Sequence, residues 1–258
     1  MKRVGLAASL LLAAGGLVAA LWRPAGSGPA PVAAVGPVPA SAAAPAPALF
    51  ARRSAADQTV CLQPLGRHDS TLLAPLGRGI EQAYGFRVRV LPDRPLPASA
   101  WYPPRSRYRA QRLLDHLRDD VLPIERGCHA VMGFTAVDVS ITKGEHPDWG
   151  VLGLAYLGGR VGVVSSFRMH RNADRRRLVE RAVKVVLHEL GHVVGVPHRQ
   201  DGPDCLMNDA GGSVQTVDRA SGVFCAAEHA AAEQALGLAL PVRGALDWRE
   251  IVGEESGK

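Results

Sequence analysis

The sequence predicts a mixed α/β domain over residues 58–236, and three observations carry that expectation. Strand-like and helix-like patterns follow one another as strand, helix, strand, helix, strand, the order of a mixed α/β fold. The strand-like segments are short apolar runs, or they alternate apolar with charged residues as in Phe86-Arg87-Val88-Arg89-Val90, the mark of a half-buried strand. A long helix-spaced series, Leu178, Val179, Ala182, Val183, Val186, Leu187 and Leu190, supplies one broad apolar face.

The elements follow in order. Lys2 and Arg3 precede Val4 to Trp22, which holds no charge, and Val18-Ala19-Ala20 offers small residues for cleavage. Residues 1–22 therefore read either as a signal peptide or as an N-terminal membrane anchor through 4–22; both deliver the chain outside the cytoplasm. No cysteine follows that stretch, so a lipid anchor is not indicated. Residues 23–57 form a linker, dominated by Pro and Ala between Pro24 and Leu49, a composition that favours an extended spacer over a core. Thr59 to Leu62 is the first strand. Leu72 to Tyr84 has helical spacing and stops before Gly85. Phe86 to Val90 is a strand, Pro92 to Pro104 a Pro-rich loop, and Tyr108 to Leu122 a helix through Leu113, Leu114, Leu117 and Val121. His129 to Phe134, Val137 to Ile141, Gly150 to Leu157 and Arg160 to Ser165 read as strands, the last two joined at Gly158-Gly159. The next helix starts near Asn172 or Asp174, either of which can cap it, and ends near Gly195. A Gly-rich loop, Asp209 to Ser213, precedes a helix from Ala226 to Leu236. Residues 237–258 read as a C-terminal surface tail.

The 258 residues carry a formal charge of +6 and are 47% hydrophobic, enough to bury a sizeable core. Arginines cluster at Arg105, Arg107 and Arg109 and at Arg175, Arg176 and Arg177. No aromatic stacking residues alternate with them and no nucleic-acid motif accompanies them, so they read as solvated faces rather than a nucleic-acid surface. Cys61, Cys128, Cys205 and Cys225 are even in number and none belongs to a CxxC pair. In an oxidising compartment they imply two disulfides, with three pairings open.

Chemistry concentrates in Val185 to His198, VVLHELGHVVGVPH. His188 and His192 are four apart, so on a helix their imidazoles leave one face. Glu189 can face the same centre without being a ligand, Gly195 lets the chain turn, and His198 returns as a third ligand. This is HExxHxxGxxH, with Met207 at a distance suited to a Met-turn. Three imidazoles leave one of zinc's four tetrahedral positions open for water. Zinc brings water's pKa to about 7, and Glu189 then serves as general base in peptide hydrolysis. Three protein ligands and an acid beside them argue against a purely structural zinc, which normally takes four. Asp201 and Asp204, near the third histidine, read as loop residues. The alternative function is a zinc-containing peptide-binding or scaffold module of the cell envelope without turnover; the intact Glu189 argues against it.

HELGHVVGVPH with the following Cys205-Leu206-Met207 resembles the metzincin clan, and more narrowly the archaemetzincins. Seventeen residues separate Met207 from Cys225, as in that family. LQPLG, WYPPRSRYRAQRLL, VMGFTAVDVSI and LGLAYLGGRVGVVS extend the likeness over Gln58 to Glu228. The resemblance implies a mostly parallel twisted sheet with an antiparallel edge strand, flanking helices, a zinc-site helix and a Met-turn. It implies a peptide or protein substrate, which adds along LGLAYL as a further strand, and a monomer. Family members also hold a structural zinc on four cysteines. Here Arg199 and Glu228 stand at two of those positions, and the loop before Cys205 is one residue longer. A second zinc is therefore not expected, and the family geometry implies a Cys205–Cys225 disulfide instead. The weaker alternative keeps a metal on Cys205 and Cys225 with Glu228 or His229. By the same resemblance the first and third strands lie side by side, which implies Cys61–Cys128.

Overall fold

In a computed structural model, which describes residues 54–199, 202, 204–241 and 244–253, the chain folds back and forth through nine strands. The leader 1–22, the linker as far as residue 53, Asp201 and residues 254–258 lie outside the described residues. The strands are β1 (Thr59–Pro64), β2 (Arg87–Val90), β3 (Trp101–Tyr102), β4 (Arg107–Arg109), β5 (Ala130–Thr135), β6 (Val139–Lys143), β7 (His146–Val151), β8 (Gly153–Ala155) and β9 (Val161–Ser165). The helices are α1 (Leu73–Tyr84), α2 (Ala110–His116), α3 (Arg175–Val193), α4 (Val214–Arg219), α5 (Ala226–Leu236) and α6 (Trp248–Val252).

The main sheet runs β2-β1-β5-β9-β8. Its first three pairings are parallel, and only the edge strand β8 is antiparallel, to β9. Both faces of β1, β5 and β9 are covered, which explains why their sequences are near-continuous apolar runs. Alternation sends Val60 and Leu62 into one core with Leu76 and Ile80 of α1 and Val183 and Val186 of α3. Cys61, Val131 and Val163 point the other way, onto Leu113, Leu114 and Leu117 at and just beyond α2. β2, by contrast, is an edge strand, with Val90 exposed and its inward residue Phe86 just before it.

Several sequence expectations need correction. Gly150 to Leu157 is not one strand: Gly150 and Val151 end β7, which pairs with β6, whereas Gly153 to Ala155 belong to the main sheet. The chain changes sheet at buried Leu152, whose carbonyl accepts from Ser165 N at 2.8 Å. A continuous apolar pattern cannot reveal such a switch. The second sheet, β3-β4-β6-β7, draws β3 from the expected loop and β4 from the expected helix start. β7 contains Pro147 and is terminal in its sheet, where proline is tolerated. The tail is not superficial: Leu240, Leu246 and Ile251 are buried in the larger core. Asp247 caps α6 by accepting from Arg249 N and Glu250 N, and the α6 carbonyl of Ile251 accepts from Arg78 of α1 at 2.6 Å. Within the arginine clusters only Arg107 and Arg109 are less solvated than expected; Arg105, Arg175, Arg176 and Arg177 are exposed. Arg107 pairs with Asp138 and Asp148, and Arg175 with Asp69.

Cys61 is bonded to Cys128 and Cys205 to Cys225. Their sequence separations, 67 and 20 residues, translate through loop entropy into about 4 and about 3 kcal/mol. Denaturant titrations of Cys61→Ser/Cys128→Ser and Cys205→Ser/Cys225→Ser variants should rank in that order. A larger loss from the second pair would show that local packing at the Met-turn outweighs chain entropy.

Candidate metal centre

The long helix α3 places the centre. Asp174 caps its start by accepting from Arg177 N at 2.8 Å, and the buried Arg181 ties it to Asp218 and to the carbonyls of Met169 and Arg171. At its other end Gly195 N bonds to His192 O and Val196 N to Gly191 O, both at 2.9 Å. This is a Schellman ending, and it uses the positive φ of Gly195, 101°, which favours glycine. The turn brings His198 back over the helix. Arg199 N then bonds to Met207 O at 3.0 Å, so the Met-turn lies beneath the three histidines. Met207 is fully buried against Gly191, which has no side chain to exclude it.

His188, His192 and His198 converge, their ring centres 4.6–5.2 Å apart. His188 Nδ1 lies 2.7 Å from Leu206 O and His192 Nδ1 2.8 Å from Val196 O. A carbonyl can only accept, so each Nδ1 carries its proton and each Nε2 presents a lone pair. His188 Nε2 lies 3.2 Å from His198 Nε2. Converging neutral imidazole nitrogens suit a divalent cation such as zinc, and the orienting carbonyls behind them are what a metal-binding histidine needs. Of the nine histidines, only these three form such a group among the described residues. Cys205, Cys225 and Glu228 also lie together, but the two sulfurs are bonded to each other.

Glu189 is buried beside the histidines. Burial, with Asp209 facing it, pushes its carboxyl up to about 8. Burial, and then His192, push His188 down to about 4, and burial lowers His192 as well. Asp209 is pulled upward by burial, yet the Gly211 N–H, His198 and Lys143 hold it below the ordinary aspartate value. The metal-free protein should therefore behave distinctively. The lowered histidines withdraw stability as pH falls below about 6.5. The raised Glu189 contributes stability that is complete below the ordinary glutamate value and disappears as pH rises towards 8. Between pH 6.5 and 8 that loss amounts to about 2 kcal/mol. Urea titrations of metal-free wild type and Glu189→Gln should show it in wild type alone; parallel pH profiles would refute the assignment.

A cleft of about 500 Å³ opens over the centre. Trp149, Val151, the β8 residues Gly153 to Ala155, Asp209 to Gly212 and Val217 line it together with the histidines and Glu189. Three contributors were not read from the sequence. Asp209 reads in the sequence only as the start of a Gly-rich loop. Glu228 reads in the sequence as the replacement of a family cysteine or as a residual ligand, yet its fully buried carboxylate accepts from Met207 N. Gly153 passes so close to Glu189 that a β-carbon would lie 2.5 Å from Oε1.

Residues 98–232 match the model of peptidase family M54. That span is more than half of the chain. The chain belongs to peptidase family M54. It is 32% identical to the archaemetzincin of Pyrococcus furiosus over 64% of this chain and 88% of that one. The archaemetzincin of Archaeoglobus fulgidus is 32% identical over 64% and 93%. The crystal structure of the latter, complexed with malonate, matches this M54 member with a TM-score of 0.57 at 30% identity, covering 67% and 99% of the two chains. That of Methanopyrus kandleri archaemetzincin matches at 0.60 and 29%, covering 70% and 96%. The mixed sheet with flanking helices is thus the archaemetzincin fold, and the chain is an archaemetzincin-like metallopeptidase.

Proposed function

We propose that this M54 member is an exported zinc peptidase in which His188, His192 and His198 hold one Zn2+ and Glu189 is the general base. The observation that carries the reading is the convergence of three imidazoles beside one buried carboxylate in an open cleft. Bound there, zinc supplies Lewis-acid polarisation of the scissile carbonyl and acidifies water. Glu189 takes the proton from the attacking water and returns it to the leaving amine nitrogen. A carboxylate beside the three imidazoles and bordering the open cleft is placed for both transfers.

The edge strand β8 orients the substrate. Leu152 O and Tyr156 N bond inward to Ser165 N and Val161 O. Antiparallel alternation then leaves the N–H and C=O of Gly153 and Ala155 on the outer edge, where an extended peptide adds by backbone pairing. Export is supported by the uncharged leader after Lys2 and Arg3 and by two disulfides, which suit an oxidising compartment.

Digestion of a peptide library with and without a zinc chelator tests the function, with metal and free thiols counted per chain. Chelator-sensitive cleavage with one zinc supports the enzyme. Peptide retention without cleavage supports a binding module instead, and a chain that binds no zinc removes the reading altogether.

A further inference from the structure

Beneath the Met-turn, Glu228 occupies the first turn of α5, fully buried. Its Oε1 accepts from Met207 N at 2.9 Å and its Oε2 from Cys225 N at 3.0 Å. The Met207 N–H belongs to the same peptide group as the Leu206 carbonyl, and that carbonyl accepts the His188 Nδ1–H at 2.7 Å. One amide therefore stands between a buried carboxylate and an imidazole. Hydrogen bonds in series polarise one another: an amide whose N–H is held by a carboxylate carries more negative charge on its oxygen and accepts more strongly. The stronger that acceptor, the more firmly it fixes the His188 tautomer and the more electron-rich Nε2 becomes.

His192 provides the contrast. Its Nδ1–H goes to Val196 O, and the nitrogen of that peptide group is Pro197, which has no hydrogen to give. No carboxylate can act on His192 by the same route. The two helix histidines thus share a face and a carbonyl partner, and differ in what stands behind the carbonyl.

We propose that Glu228 is a positioning residue of the metal centre, acting through the Leu206–Met207 amide to aim His188 Nε2 and raise its donor strength. The proposal rests on reading His188 as a metal ligand. It also gives the carboxylate a role beyond joining the start of α5 to the Met-turn.

Glu228→Gln tests it in the full-length chain, since glutamine keeps the size but loses the charge and one acceptor. In the metal-free protein the His188 Nδ1–H resonance should move to higher field while that of His192 stays in place. Zinc affinity, measured by competition with a chromophoric chelator, should fall about 10-fold. Glu233→Gln, which alters another carboxylate of α5 bonded to Leu240 N, should change neither. A folded Glu228→Gln protein with an unmoved His188 resonance and wild-type zinc affinity overturns the proposal. Equal movement of both histidine resonances also overturns it, because that is general loosening. If the variant does not fold, the metal-free wild type decides. Scalar couplings across the hydrogen bonds from Met207 N to Glu228 Cδ and from His188 Nδ1 to Leu206 C must both be present, and the absence of either ends the idea. Should His192→Ala bind zinc as tightly as wild type, the three-histidine reading fails instead, while the resonances still report on Glu228.

Discussion

Glu189→Ala is expected to lower peptide hydrolysis by about 100- to 10,000-fold and to leave zinc content at the wild-type level. The expectation follows from position. Glu189 borders the cleft and the three imidazoles, but it stands outside the set of converging nitrogens. On the proposed reading alanine therefore removes the proton acceptor and leaves the three imidazoles that would hold the metal. The loss should not come from unfolding either, because no hydrogen bond to the Glu189 side chain is found among the described residues. A buried carboxylate without such a bond costs stability in its charged form. His192→Ala makes the complementary control, losing zinc and activity together. Full activity of Glu189→Ala on a peptide that the wild type cleaves would end the mechanism.

How much of this was legible in the sequence depended on whether the signal was local. His188, Glu189 and His192 share a helix whose apolar face and Asp174 cap are written in adjacent residues, and Gly195 marks where it turns. His198 and Met207 follow within twenty residues of His188, so spacing alone placed them. The buried strands were plain as apolar runs. What escaped depended on contacts between distant segments. The chain passes from one strand to the next at Leu152, whose carbonyl Ser165 N holds, and nothing in 150–157 says so. Glu228 sits in an alanine-rich helix start, where a glutamate usually reads as a cap. Its tie to the Met-turn spans 21 residues and needed the fold to form. The caps of α6, Asp247 and Gly253, were present as signals, but five residues are too short a helix to declare itself by periodicity.

Gly153 is the other residue on which turnover should depend, through a side chain it lacks. Its backbone is extended, so Gly153→Ala places no strain on β8 itself; the obstacle is Glu189. The added methyl would lie 2.5 Å from Oε1, 2.6 Å from Cγ and 2.8 Å from Cδ, closer than real contacts allow, and something must yield. If the carboxylate yields, the proposed general base is displaced by about 1 Å, a shift that would cost about 100-fold in rate. Zinc should then stay bound, kcat should fall and KM should change little. Adding Gly153→Ala to Glu189→Ala should cost almost nothing more, since residues acting as one unit are not additive. If β8 yields instead, the edge that receives the peptide moves, KM rises, and the two substitutions become independent. The first outcome is favoured because β8 is held through β9: Leu152 O and Tyr156 N bond to Ser165 N and Val161 O, and Leu152 is anchored in the core. The carboxylate is the end of a flexible side chain beside an open cleft, and it has the easier escape.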